Sequence, residues 1–257
     1  RRAGRQPRQE VAFTACRALG RSIVAAMPDF ARFDTRQYPV MPVRDGYGDW
    51  APTYEATVED AMDLALLERI TSVRWQDAQR IADLGCGTGR TGAWLRSKSR
   101  AALHGVDLTP EMLARAKDRD IYEQLIESEL ESNGLPEHSF DLVTCCLVDE
   151  HLSELRPLYG AAARLLRPGG HYVHVGFHPF FVMKSGMPTH FEHPERGSVA
   201  LATNIHLFSD HVRCGNRAGM TQVEMHERLV DDEWLTLKPK WQKHQDWPIS
   251  FASVWRV

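Results

Sequence analysis

The stretch Ile81-Ala82-Asp83-Leu84-Gly85-Cys86-Gly87-Thr88-Gly89-Arg90-Thr91-Gly92 decides how the chain is read. A short apolar run ends in an acid, and three glycines then alternate with single residues before a helical pattern resumes. Alternating glycines let a backbone approach a ligand closely, and N–H groups at the start of a helix face whatever lies there. Two phosphate-loop readings fail. Gly87 to Gly92 matches G-x-G-x-x-G in form, but its first glycine lies two residues past Gly85, where the strand ends, and counted from Gly85 the third position is Arg90. No G-K-[ST] follows, so the loop is not a P-loop.

Outward from this loop, strands and helices alternate. Residues 80–84 read as a strand and 91–98 as a helix; 101–106 is a second strand ending at Asp107. In Thr109-Pro110-Glu111 the threonine caps and the proline takes the first helical position, with Met112, Leu113 and Ala116 facing inward. Upstream, Ala56, Ala61, Leu64, Leu67 and Ile70 predict one helix over 53–73. Residues 121–128 and 139–148 are the third and fourth strands, 152–166 a helix stopped by Pro168-Gly169-Gly170, and 171–176 the fifth strand. Such alternation implies an α/β fold with a doubly wound, mostly parallel sheet. Residues 221–230 and 249–256 leave no room for an ordinary crossover helix, so they are read as an antiparallel hairpin at the edge, making seven strands.

The 257 residues suit one domain. With 43% hydrophobic and 25% charged residues the chain is globular, neither disordered nor fibrous. A net charge of −3 and the lack of a basic stripe give no reason to expect nucleic acid as a partner. No run approaches the roughly 18 apolar residues of a membrane span, so no membrane partner is expected. The five cysteines are odd in number and form no C-x-x-C, which points away from disulfides and zinc ribbons and toward a reducing, cytoplasmic setting. Six arginines face the single acid Glu10 in the first 27 residues. With only Ser22 as a serine, this start reads as a loose tail rather than a transit peptide. Residues 1–40 are therefore taken as a basic extension and 41–257 as the domain. Within it, 177–219 is too long for a plain connection and reads as a cap over the site.

With these elements in order, the sequence resembles the class I S-adenosylmethionine-dependent methyltransferases, whose sheet is Rossmann-like, from about Tyr47 to the C-terminus. Asp83-Leu84-Gly85-Cys86-Gly87-Thr88-Gly89 matches the family's first motif. Val106-Asp107-Leu108 puts an acid at the end of the second strand, Leu135 to Val143 looks like the L-P-x-x-S-F-D-L-V entry to strand four, and Leu165 to Gly170 looks like the L-x-P-G-G turn. The resemblance implies that S-adenosylmethionine is the cofactor. It implies that Asp83 and the backbone through Gly85, Cys86, Gly87 and Gly89 lie near its methionine part, with Asp107 on the ribose and Leu108 and Met112 about the adenine. Glu129-Leu130 stands where the family more often has an aspartate for the adenine amino group, and Leu147 closes strand four beside the cofactor. Tyr47, Trp50 and Tyr54 belong to a segment that folds back over it, and a ring face attracts a sulfonium cation.

Methyl transfer from a sulfonium is an in-line displacement that needs an acceptor lone pair held close and water excluded. In an open α/β sheet that acceptor lies beyond the carboxyl ends of the strands. His151, after strand four, and His178, opening the 177–219 segment, are therefore the catalytic candidates. Phe180, Phe181, Met183 and Met187 are apolar enough to line a pocket, beside His190, Glu192 and His193. No metal is expected: the one H-x-x-x-H pair among these histidines, His174 and His178, straddles a strand end, where the rings scatter. Vicinal Cys145-Cys146 point to opposite faces of a strand, so packing accounts for them. The late tryptophans, Trp234, Trp241, Trp247 and Trp255, suit one pocket wall or the packing of the terminal hairpin. The primary reading is methyl transfer to a small molecule. The alternatives are an RNA or protein acceptor with the Arg-rich start as a phosphate-binding arm, a non-catalytic nucleotide-binding protein of this fold, and an NAD-dependent oxidoreductase, disfavoured by the glycine register.

Overall fold

The computed structural model describes residues 28–58 and 62–257; the Arg-rich start lies outside the described residues. The strands are β1 (Val40–Met41), β2 (Arg80–Leu84), β3 (Ala102–Asp107), β4 (Gln124–Glu127), β5 (Phe140–Cys146), β6 (Leu166–Phe177), β7 (His190–His193), β8 (Gly197–Leu201), β9 (Thr221–Leu229) and β10 (Pro248–Arg256). The helices are α1 (Val43–Trp50), α2 (Tyr54–Thr57), α3 (Met62–Leu67), α4 (Arg90–Lys98), α5 (Pro110–Asp118), α6 (Arg156–Leu165), α7 (Pro179–Ser185), α8 (Phe208–Arg217) and α9 (Asp232–Leu237).

Seven strands form one sheet in the order β4-β3-β2-β5-β6-β10-β9. The first five are parallel, and β10 runs antiparallel between β6 and β9. After β4 the chain returns across the sheet to place β5 on the other side of β2, so the strand order reverses at β2. Ligand crevices of open α/β sheets form at this switch point, beyond the carboxyl ends of the strands.

Alternation along each strand feeds a core on both faces of the sheet. Leu84, Val143, Tyr172 and Trp255 meet Leu158, Tyr159, Ala162 and Leu165 of α6 on one side. Ile81, Leu103, Leu142, Val173 and Val254 meet Leu66 and Leu67 of α3 and Leu95 of α4 on the other. Burying each large aliphatic side chain is worth about 1.5–3 kcal/mol, which makes the register of the central strands costly to shift.

The structure departs from the sequence reading in three places that shape the site. The helix expected over 53–73 is broken into α2 and α3. Val58 leaves helical geometry (φ −109°, ψ 70°), and its carbonyl instead accepts from the Arg90 guanidinium at 3.2 Å. The antiparallel edge pair is not a tight hairpin: α9 and a 3₁₀ turn over Pro239–His244 fill the connection. The boundary drawn at residue 40 falls inside the folded body, because β1 pairs parallel with β8 and the Thr35 amide donates to the Gly186 carbonyl at 3.0 Å. Segment 177–219 thus folds as α7, β7, β8 and α8, with β1-β8-β7 forming a small second sheet. Met41, Trp50, Phe191, Val199 and Leu201 are its buried core. No described helix is long and apolar enough to cross a membrane.

Candidate active site

The glycine loop after β2 is fastened from below. Gly85 and Cys86 donate their amides to the Val106 carbonyl at 2.7 and 3.0 Å, Gly89 donates to Cys86, and the Gly87 amide donates to Asp107 Oδ2 at 2.8 Å. The amides of Gly85, Cys86, Gly87 and Gly89 are therefore engaged within the protein. What glycine supplies here is shape. Gly85 has φ +69°, and a Cβ on it would come within 2.4 Å of Val148 Cγ2, whereas a Cβ on Gly87 meets nothing within 4 Å because that residue borders a cavity.

This cavity, ≈ 230 Å³, lies where the switch point predicts. Of the residues singled out from sequence, Tyr47, Tyr54, Gly85, Cys86, Gly87, Asp107, Leu108, Met112, Glu129, Leu130, Leu147 and His151 line it. Asp107 is held by the Gly87 amide on one oxygen and by the Thr109 amide on the other, at 2.9 Å. Burial nevertheless raises its pKa above the ordinary carboxylate value. Leu147 occupies the left-handed region (φ 57°), a conformation that costs a non-glycine residue about 1 kcal/mol or more and persists only where the surroundings hold it. Its amide is locked to the Val175 carbonyl at 2.7 Å.

Three sequence candidates stand elsewhere. Asp83 is buried beneath the loop, where the Tyr122 and Thr144 hydroxyls donate to its two oxygens at 2.7 and 2.8 Å, and burial pushes its pKa up to about 6. It ties β2 to β5 and to the connection between α5 and β4, and it does not border the cavity. Gly89 is the N-cap of α4 at φ +81°, packed near Arg119 and Tyr122. His178 caps α7 by accepting from the Phe180 amide, and its Nε2 lies 2.9 Å from Glu227, so neither nitrogen reaches a cavity.

The structure adds residues that the sequence did not single out. Asp63 of α3, buried, pairs with Arg90 at 2.9 Å, and both line the cavity together with Thr88 and Thr91. The pairing joins two elements 27 residues apart, so no local pattern announces it.

A second cavity, ≈ 470 Å³, shares Tyr47, Tyr54 and Leu147 with the first. Its walls include Trp50, Phe177, Phe181, Met187 and Trp241. Of the apolar residues expected to line a pocket, Phe181 and Met187 do so, as does His190. Phe180 is exposed, Glu192 hydrogen-bonds Ser198, and His193 faces Asp49. Arg36, Lys238, Lys240 and Lys243 stand around this second cavity, and Arg36, Lys240 and Lys243 have no ion-pair partner among the described residues. The lysines come from the connection between β9 and β10, which the hairpin reading had passed over. Glu150, buried at the same cavity, has its Oε2 unpartnered, and burial together with the Asp149 charge pushes it up to about 8.

Between the cavities the Tyr47 hydroxyl lies 2.8 Å from His151 Nε2, while His151 Nδ1 faces the Ala202 carbonyl at 2.8 Å. A carbonyl only accepts, so Nδ1 carries the hydrogen and Tyr47 donates to Nε2. Burial lowers the His151 pKa and raises that of Tyr47, keeping both neutral.

Comparison with known proteins agrees with this geometry. Residues 82–174 match the family described as Methyltransferase domain. Trans-aconitate 2-methyltransferase of Escherichia coli (strain 55989 / EAEC) is 26% identical over 200 residues, 73% of this chain and 78% of that one. Together the family match, the relatives and the solved structures support a class I S-adenosylmethionine-dependent methyltransferase. Malonyl-[acyl-carrier protein] O-methyltransferase of Halorhodospira halophila (strain DSM 244 / SL1) is 30% identical over 179 residues, 67% of this chain and 56% of that one. The crystal structure of an S-adenosylmethionine-dependent methyltransferase from Mesorhizobium loti superposes with a TM-score of 0.59 at 22% identity, over 76% of this chain and 96% of that one. For a methyltransferase of this class the first cavity has fitting chemistry: a fixed carboxylate able to accept from hydroxyls, apolar Leu108, Met112 and Leu130, a glycine bordering open space, and two tyrosine rings, of a kind that attracts a cation, on its wall.

Proposed function

We propose that this methyltransferase transfers a methyl group from S-adenosylmethionine to a small anionic acceptor, a carboxylate, seated in the second cavity. The observation that carries the reading is the set of cations around that cavity, which joins the first one at Tyr47, Tyr54 and Leu147. Two relatives are named for trans-aconitate and malonyl substrates, both carboxylate-bearing molecules, which supports it.

When bound, S-adenosylmethionine would supply an electrophilic methyl on a sulfonium, which an in-line acceptor lone pair would take with a neutral thioether as the leaving group. Asp107 would accept from the ribose hydroxyls, Leu108, Met112, Glu129 and Leu130 would take the adenine, and Gly85, Cys86 and Gly87 would leave room for the methionine part. Tyr47 and Tyr54 present ring faces to the sulfonium and keep water from the junction. A carboxylate is already nucleophilic at neutral pH and needs no general base, in keeping with a His151 whose two nitrogens are both engaged. His151 then acts by holding Tyr47. The four described cysteines are unpaired, which suits a reducing cytoplasmic compartment.

The test is turnover of a panel of di- and tricarboxylates against their neutral amides and methyl esters, read as gain of one methyl by mass spectrometry. Transfer to the carboxylates is expected. Equal or better transfer to the neutral analogues overturns the reading.

A further inference from the structure

Away from both cavities, three side chains from distant parts of the chain converge with their facing atoms unsatisfied. Asp149 follows β5, His174 pairs in register with Cys145 on β6, and His211 sits on α8. They are 3%, 0% and 2% exposed. Oδ1 of Asp149 and Nε2 of both histidines have no hydrogen-bond partner, and one donor atom from each residue lies within 4.8 Å of the others. Both Nε2 atoms stand 3.6 Å from Asp149 Oδ2. That separation is too long for an N–H···O hydrogen bond. It is close to the ~3.3–3.5 Å edge of a tetrahedron with metal–ligand bonds of about 2.0–2.2 Å.

The far side of each ring fixes its orientation. His211 Nδ1 lies 2.9 Å from the Tyr159 hydroxyl, and His174 Nδ1 faces the Tyr172 hydroxyl at 3.5 Å. A metal-bound histidine carries its hydrogen on the nitrogen turned away from the ion and directs it at an oxygen. With both hydrogens there, two Nε2 lone pairs and a carboxylate face one point, an arrangement that repels itself unless a cation sits among them. Gly176 makes the room: a Cβ there would come within 2.6 Å of Asp149 Oδ1.

We propose that Asp149, His174 and His211 bind one divalent transition-metal ion, zinc by the match of two imidazoles and a carboxylate, as a structural clasp. Linear spacing hid this set, since its members come from three separate parts of the chain, and His178, which stands at H-x-x-x-H spacing from His174, turns away to Glu227. The clasp ties α8 and β6 to the residue that precedes Glu150 and His151. The loop leading to α8 reinforces it, with Ala202 accepting from His151, the Asn204 amide donating to the Glu150 carbonyl at 2.6 Å, and His206 Nε2 donating to the Leu152 carbonyl at 2.8 Å. The ion takes no part in methyl transfer; it holds the segment that lines both cavities.

The experiment uses the untagged full chain, incubated with zinc chloride or cobalt chloride, desalted and assayed by plasma mass spectrometry. About one zinc per chain is expected, falling below about a tenth in His211→Gln and Asp149→Asn. Chelator dialysis should lower Tm by several degrees, with zinc restoring it. Should a variant not fold, zinc-edge X-ray absorption of the parent still reads the ligands, and two imidazole nitrogens with carboxylate oxygen are expected. A parent that retains neither zinc nor cobalt, unchanged zinc in folded His211→Gln, or an absorption spectrum without imidazole overturns the proposal and leaves a metal-free buried Asp–His cluster.

Discussion

Tyr47 donates its hydroxyl hydrogen to Nε2 of His151 across 2.8 Å, where the two cavities share a wall. The ring of Tyr47 is further held by Trp50, stacked at 5.9 Å, which itself stacks on Phe191 at 5.1 Å. Through this column, α1 and the 177–219 segment fix a tyrosine beside the proposed sulfonium site. Tyr47→Phe keeps the ring and removes the tie. Expected is a fall in kcat of about tenfold, equivalent to one neutral hydrogen bond, with cofactor Kd changed less than twofold. Steady-state kinetics together with calorimetric titration of the demethylated cofactor check this. A matching loss in His151→Gln supports the positioning role; unchanged kcat in both removes it.

Asp107 presents its carboxylate to the first cavity while receiving the Gly87 and Thr109 amides. Asp107→Ala should weaken binding of the demethylated cofactor by about 1.5–3 kcal/mol, the range for hydrogen bonds to a charged group. Part of that loss comes from the loop, because two amides lose their acceptor. Asp107→Asn keeps one acceptor oxygen and should fall between parent and alanine. Calorimetry on all three proteins reads the order, and an alanine variant binding as tightly as the parent excludes the ribose role.

The cations around the second cavity give a reading of charge independent of the cofactor. Lys240→Gln and Lys243→Gln should each raise KM for a carboxylate acceptor roughly two- to fivefold, as expected for exposed charges, and leave cofactor Kd unchanged. The effect should shrink in high salt, since the Debye length falls to about 3 Å at 1 M. Salt-insensitive KM values, or a change confined to kcat, would contradict an anionic acceptor.

The fold was legible in the sequence because the glycine loop, Asp107 and the alternating strands are local signals, each written in neighbouring residues. Twelve residues singled out from sequence line the first cavity, and apart from Tyr47 and Tyr54 of α1 and α2 they come from the ends of sheet strands and the loops and helix starts after them, which converge at a switch point. Asp83 misled because a motif position records proximity to the ligand loop, not which way the side chain points. Here it points inward to Tyr122 and Thr144. The Asp63–Arg90 pair, the lysines from the β9–β10 connection and the Asp149–His174–His211 trio depend on contacts between remote segments. No periodicity encodes those, and only the assembled topology reveals them.

Burial of Asp83 has a consequence for stability that is opposite in sign to that of most folded carboxylates. Desolvation raises its pKa to about 6 in spite of two hydroxyl donors, so the folded state holds its proton more tightly than the unfolded chain does. Stability from this group is therefore fully present below the unfolded pKa of about 3.9 and declines as pH rises toward 6. Its ionisation above that point costs up to roughly 3 kcal/mol. Asp83→Asn removes the titration, so denaturant-unfolding curves for parent and variant should diverge progressively between about pH 4 and 6, with the parent losing ground as pH rises. A difference that is flat across that window would mean that Asp83 is ionised throughout and that the loop above it rests on a buried charge.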